Sequence, residues 1–172
     1  AVIVSLSVGI FDIAVAKFGQ LMKKISKFFP NYAKLLLVFI LTGVIGLIFT
    51  EGLYSGRGII LDIVNGEKAI SFLALMLLLR VGMMLLTTSS GVTGGIFIPT
   101  LAIGALIGAL SANLLVYIGM PKEYFGTIVL LGMCAFMGGT MRAPLTAAAF
   151  FIESTAQFTN MFYVALVIFI VN

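Results

Sequence analysis

Residues Gly91 to Thr100 read GVTGGIFIPT and interrupt an otherwise apolar tract with three glycines, one proline and no charge. An unpaired backbone polar group in hydrocarbon costs several kcal/mol, so an irregular joint at membrane depth persists only where protein, water or a ligand satisfies it. Pro99 suits the first turn of a helix, where its missing N–H costs nothing, and Leu101 to Tyr117 are apolar and helix-compatible. The spacing therefore predicts a helix beginning near Pro99. Begun inside a membrane, it turns its first backbone N–H groups, with those of the approach from Gly94 to Ile98, toward one point backed by the positive end of the helix dipole. Such a point is an anion site. The stretch contains no Lys or Arg, and partial charges suit an ion that must leave as readily as it enters. Thr93 and Thr100 are candidate hydroxyl donors, and Phe97 is a candidate apolar lining of the path. A simple turn between two membrane helices fits the same residues. Against a turn at the water surface stands the lack of a polar loop, since only Thr87 to Ser90 supply polarity.

The wider sequence sets this joint in a membrane. Of its 172 residues, 62% are hydrophobic and 9% charged, with a mean hydropathy of +1.25. Soluble domains carry about 45–50% apolar and about 25% charged residues. Apolar runs that cross or nearly cross a bilayer, which takes about 20 residues, lie at roughly 1–16, 35–50, 69–88, 97–118 and 124–141, with shorter ones at 144–152 and 161–171. Their uneven lengths predict an all-α polytopic membrane protein of tilted and partial helices. Lys17, Lys23, Lys24, Lys27 and Lys34 cluster between the first two runs and mark a cytoplasmic side. Glu51, Asp62 and Glu67, against Arg57, mark the opposite side one crossing later. The lysines sit among Phe28, Phe29 and Tyr32, an interfacial aromatic belt, and do not predict nucleic-acid binding. Both ends read as cut inside apolar runs, so residues 1–172 are expected to be a fragment of one transmembrane domain.

A second joint is expected in GMCAFMGGTMRAPLT, Gly132 to Thr146, framed by Gly138-Gly139 and Pro144. Arg142, beside that proline at an expected helix N-terminus, would oppose the helix dipole and so is expected to face water or a carboxylate such as Glu153 or Glu123. Arg80, inside the third run, and Glu153, at the end of an apolar run, are read with Arg142 as structural charges that hold helices, with an ion-path role as the alternative. Gly104, Gly108 and Ala112, spaced by four, form a small-residue stripe for close helix packing. Cys134 and the nine methionines read as packing residues. With no His, one apolar-context Cys and no paired carboxylates, the residues support no enzyme, metal site or cofactor.

These blocks carry a family resemblance. SSGVTGGIFIPTLAIGALIG, followed by MGGTMRAPLTAAAFFIE and preceded by LLLR, resembles the second half of the CLC family of chloride channels and chloride/proton antiporters. That family has the patterns SSG-x-x-GGIF-x-P and RAPLT followed by a Glu. The resemblance implies half of an inverted-repeat fold and transport of chloride or a similar small anion, possibly with protons. It also implies a homodimer with one pore per subunit in the bilayer, with the segments from Arg142 to Glu153 and Met161 to Val171 at the subunit interface. It places the anion on Gly94, Gly95, Ile96 and Phe97, the backbone amides of Ile96 and Phe97 making the contact, and Pro99 opening the supporting helix. The family's GSGIP-type and G-[KR]-E-G-P motifs, its pore-lining Tyr and its proton-relay Glu have no counterpart here, so a complete pathway is not expected within these residues. On the residues alone, another secondary transporter with a broken-helix anion site and a non-transporting membrane scaffold stay open.

Overall fold

A computed structural model describes residues 1–25, 31–48, 63, 69–90, 95–155 and 161–171. Among these the secondary structure is helical, without a strand. The helices are α1 (Val2–Ile25), α2 (Asn31–Ile48), α3 (Ile70–Ser90), α4 (Phe97–Tyr117), α5 (Phe125–Met141), α6 (Pro144–Thr155) and α7 (Met161–Val171), with a 3-10 turn at Lys122–Tyr124. Four stretches are long and apolar enough to cross a membrane: Val2–Lys24, Ile70–Ser90, Phe97–Tyr117 and Lys122–Met141. The apolar parts of α2 and α6, Leu35–Leu47 and Pro144–Glu153, are shorter. At 1.5 Å per residue, α6 and α7 reach only about 16–18 Å, partial helices of the kind the uneven runs imply.

The centre of the bundle is α4. Two-thirds of its membrane-length window is buried (67%), against 17% for α1 and 22% for α3. Every residue from Thr100 to Ala109 is buried, and a helix apolar and buried on all sides is a core helix. Its main neighbour is α5, with α3 and α1 beside it; α6 and α7 pack on α5 and on each other, and α2 packs on α3. Phe11 of α1 meets Phe136 of α5 edge to face, with ring centroids 5.5 Å apart. At its far end α4 is closed by Gly119, whose φ of +113° is one that side chains resist. The N–H of Gly119 donates to Val116 O at 3.1 Å and that of Met120 to Leu115 O at 3.0 Å, and Pro121 follows.

The small-residue stripe of α4 does what its spacing implies. A Cβ built on Gly104 would lie 2.7 Å from Met133 Cα, one on Gly108 2.9 Å from Val129 Cα, and one on Gly132 2.6 Å from Gly108 Cα. The two backbones therefore touch where α4 crosses α5, and no larger residue fits. Gly138 and Gly139 lie in the last turn of α5 and, with Pro144, frame the expected joint; they also let Ile168 of α7 and Ala147 of α6, and Val171 of α7 and Val8 of α1, approach to about 3 Å of a would-be Cβ. The actual break is two residues long, Arg142-Ala143.

Charges from the first lysine cluster lie partly on α1. Lys23 and Lys24 occupy its last turn, where cations suit the negative end of the helix dipole. Lys27, Phe28, Phe29 and the acidic residues Glu51, Asp62 and Glu67 with Arg57 lie outside the described residues.

The crossing gives a direct stability test. Gly132→Val should lower the stability of the folded protein by about 2–3 kcal/mol or separate the helices outright. Gly82→Ala, where a Cβ meets nothing within 4 Å, should leave it unchanged or slightly raised. Thermal unfolding in detergent checks the pair, and equal effects at both positions would contradict the packing described.

Candidate functional site at the N-terminus of α4

The joint between α3 and α4 is built from the outside in. On the α3 side, the polar run folds its hydroxyls back on its own helix. Thr87 donates to Met83 O at 3.0 Å and Met84 O at 3.1 Å, and Ser90 donates to Thr87 O at 2.6 Å. Thr93 and Gly94 lie outside the described residues, which resume at Gly95.

On the other side, α4 starts at Phe97, two residues before the expected Pro99. Ile96 is its N-cap, with φ −82° and ψ −18°, and no side chain caps it. The first backbone bond into the helix runs from Thr100 N–H to Ile96 O at 3.1 Å. Pro99 is thus the third helical residue, still within the turn whose N–H groups have no helical acceptor, which is why proline is tolerated there. The donors left at the tip are the N–H groups of Ile96, Phe97 and Ile98, with Gly95 before them. None of these has a backbone acceptor among the described residues. Ile96 is 47% exposed and Phe97 and Ile98 each 39%, whereas Thr100 is 1% exposed. The first turn is therefore open where the next ten residues, Thr100 to Ala109, are buried, and it presents N–H donors at the positive end of the helix dipole.

Two neighbours define the tip more closely. Thr100 was a candidate donor to the ion, but its hydroxyl is turned inward, donating to Phe97 O at 2.7 Å and Ile96 O at 3.1 Å. Its one proton is used within the helix. The ring of Phe97 lies edge to face on that of Phe150 in α6, with centroids 5.9 Å apart and planes at 84°. Sequence reasoning missed Phe150; its only local signal is an aromatic pair, Phe150-Phe151, after three alanines.

The charged residues fall elsewhere. Arg80 is buried in mid-α3, about 15 Å of helix rise from the end at Ser90. Arg142 is exposed and is the C-cap of α5, with φ 51° and ψ 39°, the left-handed region. Its N–H donates to Gly139 O at 3.4 Å, and that of Ala143 to Gly138 O at 3.1 Å. Arg142 lies between two helix ends, favoured by the C-terminus of α5 that it caps and, as expected, opposed by the N-terminus of α6, which starts two residues on at Pro144. No ion pair joins Arg142 to Glu153 or Glu123 among the described residues. Glu153 stands about 14 Å of helix rise along α6 from its start at Pro144, and Glu123 precedes the far end of α5. A cavity of about 370 Å³, bounded by Val4, Gly108, Ser111, Gly132 and Val167, lies deeper along α4 and is separate from the tip. Among the described residues no cluster of His, Cys, Asp or Glu is placed to hold a metal ion.

The profile of the voltage gated chloride channels matches residues 1–172. This chain belongs to that family. Among its relatives are the H(+)/Cl(-) exchange transporters ClcA of Salmonella arizonae, Salmonella newport and Salmonella agona, each 34% identical over 120 residues. The match takes in 69% of this chain and 25% of each relative, so it spans a quarter of their length. With four helices long and apolar enough to span, this member of the voltage gated chloride channel family is an integral, multi-pass, all-α membrane protein.

The inward-turned hydroxyl is testable. Thr100→Val in the intact protein should leave anion affinity within about twofold, since Ile96 O keeps its bond from Thr100 N–H and no acceptor is orphaned. Calorimetric titration with chloride checks this, and a loss of tenfold or more would mean that the hydroxyl reaches the ion.

Proposed function

We propose that the protein carrying this chain moves chloride or a similar small anion across the membrane, as a channel or an anion/proton antiporter. The ion binds at the tip of α4, on the N–H groups of Ile96 and Phe97, with Gly94 and Gly95 keeping the approach free of side chains. The observation that carries this reading is the open, uncapped first turn of a helix that is buried from Thr100 to Ala109. Backbone donors with no full positive charge give a site that holds an anion and still releases it. The names of the Salmonella relatives add proton coupling as the form of transport to test first. Such a protein is a transporter and not an enzyme.

Partners follow from the same reading. Leu145 on α6 and Leu166, Phe169 and Ile170 on α7 are exposed apolar residues, and they suit the interface of a homodimer within a lipid bilayer. Arg80, Arg142 and Glu153 serve the scaffold, with Arg142 closing α5.

Proline offers a clean removal of one donor. The φ of Ile96 already lies near proline's range, so Ile96→Pro deletes an N–H with little change of backbone. A hydrogen bond to a charged group contributes about 1.5–3 kcal/mol, so chloride affinity should fall about 10- to 100-fold while the protein stays folded. The readout is chloride efflux from liposomes holding the intact protein, with proton movement recorded together. Unchanged affinity and flux in Ile96→Pro would overturn the site; chloride flux driving opposed proton movement would establish the antiporter, and flux without protons the channel.

A further inference from the structure

We propose that Phe150 is a positioning residue for the anion site, holding the first turn of α4 through the ring of Phe97; this rests on the site proposed above. The tip of α4 has few restraints of its own. No side chain caps Ile96, a Cβ on Gly95 would meet nothing within 4 Å, and the hydroxyl of Thr100 fixes carbonyls on the helical side of the turn. The edge-to-face contact between Phe97 and Phe150 comes from outside the helix.

Phe150 is well placed for this work because its own helix is anchored. Beside it, Ala147, Ala148 and Phe151 are buried, and α6 packs on both α5 and α7. Its start is tied to the end of α5 by the bond from Ala143 N–H to Gly138 O at 3.1 Å. Among the described residues α4 and α6 do not pack along their length. The ring pair therefore links two elements that both pack on α5. An edge-to-face pair has a preferred geometry, so the Phe97 ring, 39% exposed, is held to one orientation. Its backbone N–H belongs to the same residue, and rotation of the ring about Cα–Cβ is coupled to the setting of that first turn. Loss of the Phe150 ring frees both.

The test uses the intact protein with Phe150→Leu, Phe150→Tyr, Phe97→Leu and the double variant Phe97→Leu/Phe150→Leu. Chloride affinity is measured by calorimetry beside thermal stability and oligomeric state. Phe150→Leu should weaken chloride binding about three- to tenfold, the range an aromatic pair supplies, in a folded protein. Phe150→Tyr, which keeps the ring, should restore binding, and Phe150→Leu should add nothing further in the Phe97→Leu background. Should Phe150→Leu fail to assemble, Phe150→Met carries the same expectation. A fall in stability with chloride affinity unchanged would overturn the proposal, as would an equal loss of affinity with and without the Phe97 ring. Ile96→Pro separates the two levels: if it leaves chloride binding intact the site itself is wrong, whereas if it abolishes binding and Phe150→Leu does not weaken it, only the positioning role fails.

Discussion

Everything in this fold rests on the backbone contact between α4 and α5. Gly104 and Gly108 on one helix face Gly132 on the other at distances where even one added carbon overlaps main-chain atoms. In a membrane there is little hydrophobic force between helices, so association depends on close packing, and glycine is the residue that permits it. With α5 seated against it, α4 is buried from Thr100 to Ala109. Its first turn lies outside that stretch, and the N–H groups there have no backbone acceptor among the described residues. The close crossing thus fixes the helix whose first turn presents these donors.

The same economy of small residues arranges the other joint. Gly138 and Gly139 draw α1, α6 and α7 around the end of α5, and Arg142 then closes the helix in a left-handed conformation. For a residue other than glycine that conformation costs about 1–2 kcal/mol. Part of it is offset by the cation's place at the negative end of the α5 dipole. The short break allows α6 to leave at once and to carry Phe150 to the tip of α4.

Composition and run lengths were enough to read an all-α membrane protein with partial helices, because twenty-odd apolar residues in water have no other stable use. The Gly104–Gly108–Ala112 stripe was legible because a helix repeats its face every four residues. Its partner was not, since Gly132 lies in a run where spacing marks no face. Gly138-Gly139 marked the joint before Pro144, but their packing role was hidden, because two glycines read alike whether they loosen a loop or admit a neighbouring helix. The start of α4 was misplaced by two residues because proline is accepted anywhere in the first turn. Thr100 was read as a donor to the ion, but burial gives its proton nearer acceptors on its own helix. The contact of Phe97 with Phe150 joins residues 53 positions apart (150 − 97), and no local pattern encodes it. Both α3 and α4 have 21 residues, about 31 Å, enough to cross a bilayer.

The account's central claim is that backbone amides at the tip of α4 bind the transported anion. The most direct measurement is anomalous X-ray scattering from crystals of the intact protein grown in bromide, which replaces chloride and can be located by its own signal. The account predicts a bromide peak within hydrogen-bonding reach of the nitrogens of Ile96 and Phe97. A well-ordered bromide elsewhere in the protein, with no peak at that turn, would contradict it.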